Sequence, residues 1–357
     1  MGKPVYFVAL PQASDMEQRV RATERLLASC GLERIVASND RTAVKIHVGE
    51  KNNDTHVGPE IVKAVVDWVR KAGGSPFLTE TSTLYKGARA NAVDHLTHAF
   101  SHGFSYEKVG APFIMADGLS GNTEIEVPIP GLLFDKVAIA REVVFADSLV
   151  AVSHPTGHVN TALGACIKTL GMGLASRMGK LRQHSSMKPE VKARTCTFCR
   201  KCQKWCPAEA IVEREGKAFI LGQKCIGCGE CLAVCRFDAI KYNWGVESAD
   251  LQKKMAEHAL GVIIDKRDKC LFVNCLFDMT KDCDCLNLKQ QRCQPDVGIL
   301  ASQDPVAADQ ATLDLTRERF GRSLAEAGWP ELDATVQLEH GEKIGLGSRS
   351  YELKRLE

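Results

Sequence analysis

Apolar residues along the first half of the chain fall into short runs, with stretches of helical period between them. PVYFVAL (4–10), TAVKIHV (42–48), SPFLTE (75–80) and SLVAVSH (148–154) read as β-strands. DMEQRVRATERLLASCGL (15–32), IVKAVVDWVRKAGG (61–74) and NAVDHLTHAFSHG (91–103) carry apolar residues at helical spacing, and the second stops on glycine. Strands that alternate with helices predict an α/β fold: a mostly parallel sheet with flanking helices.

The pattern breaks near Ser185. HSSMKPEVKAR (184–194) is polar and holds a proline, which suits a linker. The periodic pattern returns later. DLQKKMAEHALGVI (250–263) is helical and DVGILAS (296–302) is a buried strand. Asp304 and Pro305 suit the N-cap and first residue of a helix over 305–320. The expected organisation is an α/β domain in two parts, 1–188 and 247–357, with an inserted α+β unit at 189–246.

That unit holds CTFCRKCQKWCP (196–207) and CIGCGECLAVCR (225–236). Cys196, Cys199, Cys202 and Cys206 recur as Cys225, Cys228, Cys231 and Cys235, each shifted by 29 residues. One offset at four positions is an internal duplication. The spacing Cys-x-x-Cys-x-x-Cys-x-x-x-Cys-Pro is that of bacterial two-cluster ferredoxins, in which the fourth cysteine ligates the other cluster. Two 4Fe–4S clusters are therefore expected: one on Cys196, Cys199, Cys202 and Cys235, the other on Cys225, Cys228, Cys231 and Cys206. Zinc also uses Cys-x-x-Cys pairs, but it leaves the third cysteine of each half unexplained. Arg236 stands where the first half has Pro207, and all eight thiols are in place.

Composition narrows the rest. A net charge of +2 over 357 residues gives no field that argues for nucleic acid. No apolar run reaches the ~18 residues a membrane helix needs. VAIAREVVFADSLVAV is interrupted by Arg141, Glu142 and Asp147. The first residues read as a strand rather than an export signal, so a cytoplasmic location is expected. Fifteen cysteines there suit metal ligands or reactive thiols better than structural disulfides.

Two loops follow predicted strands, where open α/β sheets bind ligands. HVGEKNN offers Lys45, His47, Glu50 and Lys51, with Glu80 and His95 near the same sheet edge. SHPTGH offers His154 and His158, and Lys168 follows on a helix. The candidate catalytic residues are thus Lys45, His47, His154, His158 and Lys168, for an anionic small molecule or a metal. The blander alternative is solvated polar loops. The glycine-rich GMGLASRMGK fails both the P-loop and the dinucleotide patterns. No flavin or nicotinamide fingerprint is present. The Cys-x-x-x-Cys-x-x-Cys triplet of radical enzymes is absent too. Cys283 and Cys285, on a segment read as extended, point both thiols to one face, as a chelate or redox pair. Cys270, Cys275 and Cys293 read equally as ligands or as small buried hydrophobes. Arg194, Arg200, Lys201 and Lys204 make the first cysteine loop basic, which suits an acidic redox partner such as a ferredoxin or flavodoxin.

AVKIHVGEKNN (43–53), PFLTETSTLYKGARANAVDHL (76–96), SHPTGH (153–158), GACIKTLGMGLASRMGKL (164–181), CDC (283–285) and DVGILASQDPVAADQA (296–311) resemble the domain-of-unknown-function 362 family, described as uncharacterised iron–sulfur-centre proteins. SHPTGH departs from the family's usual segment, where a lysine is expected near Thr156. The resemblance implies an α/β domain with an inserted two-cluster module, and no established reaction. The functional expectation is an iron–sulfur redox protein that moves electrons to or from a substrate or metal in the α/β domain. The alternatives are a non-enzymatic ferredoxin-type carrier or accessory subunit, and an assembly or sensing protein.

Overall fold

The computed structural model describes residues 2–85, 87–184, 189–225, 230–237, 239–241 and 248–357. Eight strands form the central sheet: β1 Lys3–Ala9, β2 Arg41–Lys45, β3 Ser75–Glu80, β4 Phe113–Met115, β5 Ser148–Ser153, β6 Cys270–Leu276, β7 Gly298–Ser302 and β8 Tyr351–Leu356. Their order across the sheet is β8-β1-β7-β6-β5-β2-β3-β4. β7 runs antiparallel to both neighbours, and the other pairings are parallel. The sheet is therefore mostly parallel, as expected. β7 was legible as a buried strand, but its direction was not.

The central strands β5, β6 and β7 are nearly continuous apolar runs because both faces are covered. Leu149 and Ala151 join one apolar cluster, and Val150 and Val152 join the other. Phe272 and Val273 divide in the same way. On one face lie α1 Met16–Ser29 and α2 Pro59–Lys71. α2 starts with Pro59 at its first position and buries Ile61, Val62, Val65, Val66 and Val69, the stripe its period predicts. Each such buried side chain contributes roughly 1.5–3 kcal/mol. On the other face lie α3 Cys166–Gly171, α4 Ser248–Ile263, α5 Pro305–Phe320 and α6 Thr335–Lys343. The Asp304 carboxylate caps α5, accepting the N–H groups of Val306 and Ala307.

Strands before residue 184 and after residue 248 pair directly, since β5 lies beside β6. The expected junctions of the inserted unit, after residues 188 and 246, adjoin or fall within segments 185–188 and 242–247, which lie outside the described residues. Between them the cysteine unit has its own small apolar cluster, built on Cys196, Ile211, Ala218, Cys231, Ala239 and Ile240. No helix among the described residues is long and apolar enough to cross a membrane.

Candidate functional site

The carboxyl ends of β2, β3, β5 and β6 open onto one cavity of about 340 Å³. Lys45, His47, His154, His158 and Lys168 all line it, together with Cys283 and Cys285. Four loops from four strands thus converge where parallel sheets place their ligands.

Lys45 is the last residue of β2 and is only 2% exposed. Its ammonium donates to Glu80 Oε1 at 3.0 Å and to the Ile46 carbonyl at 2.6 Å. Burial pulls it below the ordinary lysine range, and Glu80 opposes that pull. Glu80, at the end of β3, also accepts from the Val48 N–H and faces His95 Nε2 at 2.9 Å. Burial pushes its carboxyl up, and the cations around it, Lys45 foremost, reverse this and hold it well below the usual range. The last helical turn before Gly173 closes over Lys45. A Cβ at Gly173 would lie 2.8 Å from Lys45 Cε and 2.2 Å from the Thr169 carbonyl oxygen.

His47 lies just past β2. Its Nδ1 accepts from the Gly49 N–H at 3.0 Å, and its Nε2 lies 3.1 Å from Arg89. Burial and then Arg89 keep the ring neutral, well below the usual histidine range. Arg89 is itself fixed by Glu50 at 2.9 Å and by the Tyr85 hydroxyl at 2.6 Å.

His154 has both ring nitrogens engaged. Nδ1 lies 2.7 Å from Asp284 Oδ2, and Nε2 lies 2.8 Å from the Phe277 carbonyl. Both nitrogens face acceptors, so both carry protons. Burial opposes that charge, but Asp284 and the carbonyl raise the ring above its ordinary value. His154 is a fixed imidazolium rather than a free base. Asp284 completes the clamp by accepting from Thr55 Oγ1 at 2.7 Å and Asn53 Nδ2 at 3.0 Å. His158 differs again. Its Nδ1 accepts from the Asn160 and Thr161 N–H groups, and burial followed by Lys168 holds it neutral.

Lys168, on α3, donates to Cys283 Sγ at 3.1 Å. Burial brings its ammonium down to about 8. Cys283 and Cys285 do not lie on an extended segment. They sit in a turn, and their sulfurs are joined. With His158 they are the group of described side chains whose donor atoms, within 4.8 Å of one another, could share an ion. Cys270 and Cys275 are buried in β6, where burial pushes each thiol up to about 12. They are packing residues.

The cysteine unit repeats its own hydrogen bonds at the same 29-residue offset. Ala210 N–H donates to Cys206 Sγ at 3.2 Å, and Ala239 N–H to Cys235 Sγ at 3.3 Å. Lys192 N–H donates to the Ala239 carbonyl, and Leu221 N–H to the Ala210 carbonyl. The pair Glu190–Val191 with Ile240–Lys241 is matched by the hairpin of Ile211–Arg214 with Lys217–Ile220. Helices Lys201–Lys204 and Glu230–Val234 correspond in the same way. Cys196, Cys199, Cys202 and Cys235 line one small cavity, and Cys196 Sγ accepts from the Phe198 and Ala218 N–H groups. Four converging soft thiols with N–H groups aimed at sulfur fit an iron–sulfur cluster. Cys206, Cys225 and Cys231 are described, whereas Cys228 lies outside the described residues.

The family described as Domain of unknown function (DUF362) matches residues 42–314, well over half of the chain. The chain belongs to the DUF362 family. A stretch of 46 residues is 48% identical to one component of the ion-translocating oxidoreductase complex of Methanosarcina acetivorans. That stretch is 13% of this chain and 17% of that protein, so the chain spans about a sixth of the length of this curated relative. Two solved structures align with parts of the chain. The lactate racemase apoprotein from Thermoanaerobacterium thermosaccharolyticum aligns with a TM-score of 0.41 at 13% identity, over 76% of this chain and 51% of that one. A structural genomics target from Thermotoga maritima aligns at 0.43 and 10% identity, over 86% and 60%. Likeness at this level carries no argument about function.

Within this DUF362 chain the cavity is rich in cations. Besides Lys45, Lys168 and Arg89, it includes Lys180, which donates to Thr81 Oγ1 at 2.5 Å and the Ala175 carbonyl at 2.7 Å. Burial brings Lys180 down to about 7, and Asp117 opposes that. Sequence reasoning singled out neither Arg89, Lys180 nor Asp284. Nothing in their spacing marks them, and they reach the site only through the fold.

Proposed function

We propose that this protein is an iron–sulfur oxidoreductase that holds two 4Fe–4S clusters and exchanges electrons with an anionic small molecule in the α/β cavity. One cluster takes Cys196, Cys199, Cys202 and Cys235; the other takes Cys225, Cys228, Cys231 and Cys206. The observation that carries this reading is the 29-residue repetition of N–H···S hydrogen bonds at Cys206 and Cys235, each on the fourth cysteine of its half. Such bonds tune a cluster's potential and suit its thiolate ligands. The relative in the ion-translocating oxidoreductase complex lends support to a redox role.

The cavity favours an enzyme over the alternative, a non-enzymatic carrier or accessory subunit. A carrier has no use for buried Lys45, Lys180 and Arg89, with half-buried Lys168 beside them, around a space of about 340 Å³. Glu80 already meets Lys45 and Glu50 meets Arg89, while Lys168 and Lys180 donate to a sulfur, a hydroxyl and a carbonyl. Removing cations from water is costly unless charge is met there, so these two are the ones an anionic substrate would satisfy. Lys45, Lys168 and neutral His47 supply what an anionic substrate and a proton transfer need. The exposed Arg194, Arg200, Lys201 and Lys204 suit docking of an acidic ferredoxin or flavodoxin.

Purification without oxygen, iron and sulfide counts, and the EPR spectrum of the reduced protein test the reading. About eight iron and eight sulfide per chain, with coupled signals, are expected for two cubane clusters. Zinc without sulfide would remove the clusters and every electron-transfer role.

A further inference from the structure

We propose that Cys283 and Cys285 form a redox-active dithiol/disulfide pair that takes up two electrons inside the cavity, with Lys168 holding the Cys283 sulfur as a thiolate. The proposal rests on the iron–sulfur reading only for the source of those electrons.

Geometry separates this pair from the other described cysteines of the α/β domain. Its sulfurs touch, it lines the cavity, and it faces an ammonium 3.1 Å away. The Cys285 N–H also donates to Cys283 Sγ at 3.2 Å. Both donors converge on Cys283, and a sulfur that receives an ammonium and an amide is prepared to carry negative charge. Cys166, Cys270 and Cys275 are instead fully buried members of the apolar clusters on the two faces of the sheet.

The turn is anchored independently of the sulfurs. Asp284 is held by His154, Thr55 and Asn53; the Tyr85 hydroxyl donates to the Cys285 carbonyl at 3.1 Å; and Gln290 Nε2 donates to the Cys283 carbonyl at 3.0 Å. Opening the S–S bond therefore leaves the two sulfurs close together, ready to re-form it. Two features argue against a resident metal. Lys168 puts a cation beside Cys283, where a metal ion would sit. His158 Nδ1 already accepts two backbone N–H groups, so a neutral ring carries its proton on Nε2, the other donor position.

The reduction balances with two electrons and one proton. The S–S bond breaks, Cys283 Sγ leaves as a thiolate paired with Lys168, and Cys285 Sγ takes a proton from water in the open cavity. Two one-electron clusters would supply the electrons one at a time. The pair converts them into a two-electron equivalent at the substrate's position.

The test uses the full-length, cluster-loaded protein in anaerobic dithiothreitol redox buffers. Thiols are trapped with iodoacetamide after acid quench, and the peptide carrying both cysteines is weighed. We expect it to pass from no label to two labels in one two-electron step. Lys168→Met should shift the reduction equilibrium about tenfold toward the disulfide, about 30 mV in midpoint, and Lys168→Arg should restore it. Two overturning results are a peptide doubly labelled at every potential, and a Lys168→Met midpoint equal to wild type. One tightly held zinc per chain, lost in Cys283→Ser, would also overturn it by making the pair a metal ligand. Reduction by dithiothreitol but not by photoreduced clusters would sink the electron path proposed above and leave the thiol pair standing.

Discussion

Asp284 offers the sharpest test of how the cavity is held together. Its carboxylate is 4% exposed and serves three donors: His154 Nδ1, Asn53 Nδ2 and Thr55 Oγ1. In Asp284→Ala the His154 imidazolium loses its counter-charge, and two polar groups lose an acceptor. Breaking a buried ion pair by removing one partner costs roughly 3–5 kcal/mol. Asp284→Asn should be milder. Its oxygen can still accept from Asn53 and Thr55, and its amide can donate to His154 once that ring sheds a proton. His154 Nε2–H keeps the Phe277 carbonyl. What remains is the lost charge assistance, roughly 1–2 kcal/mol. The pH dependence carries a sign. The His154 contribution is fully present below its unfolded value of 6.5 and is lost as pH rises through its raised folded value. The gap between wild type and Asp284→Asn should therefore narrow at high pH. Urea unfolding followed by circular dichroism, without oxygen, reads all three proteins. If Asp284→Ala stays within about 1 kcal/mol of wild type, the clamp is not what holds these loops.

Other outcomes follow from the same burial and packing. Burial pulls His56, His184 and His258 down to about 4, from an ordinary 6.5. Between those values the unfolded chain binds protons that the folded chain refuses, so each site takes away up to roughly 1.4 kcal/mol per unit as pH falls. Urea midpoints should drop steadily from pH 6.5 to 5, and flat midpoints would contradict the burial of these rings. Gly173→Ala drives a methyl against the Thr169 carbonyl and Lys45. A loss of roughly 1–3 kcal/mol is expected, and a neutral result in thermal melts would refute the close packing there. Cys275→Ala should leave iron content unchanged, because this thiol is sealed in β6. Cys196→Ser should lower it, and elemental analysis decides both.

Much of this was legible in the sequence, for local reasons. The strand ending at Lys45 and the helix over 61–71 show their period directly, and the cysteine duplication is a matter of spacing. The strand pattern put Lys45, His47, His154 and His158 at or just past strand ends and Lys168 on the helix that follows, and the fold brings all five to one cavity. The reverse direction of β7 was not legible, because an apolar run has no arrow. Cys-x-Cys was read as extended and lies in a turn, since two residues do not define a backbone. Asp284 reaches His154 across 130 positions, and Arg89 reaches His47 across 42. Contacts of that kind exist only after topology is fixed.

The first and last strands of the cysteine unit pair with each other, Glu190 opposite Lys241 and Val191 opposite Ile240. Paired antiparallel residues lie only about 5 Å apart. A unit of some fifty residues thus enters and leaves at one point, between neighbours in a single ladder. Its loops can lengthen, or its surface can change partners, while the distance between its two ends stays that of one paired ladder.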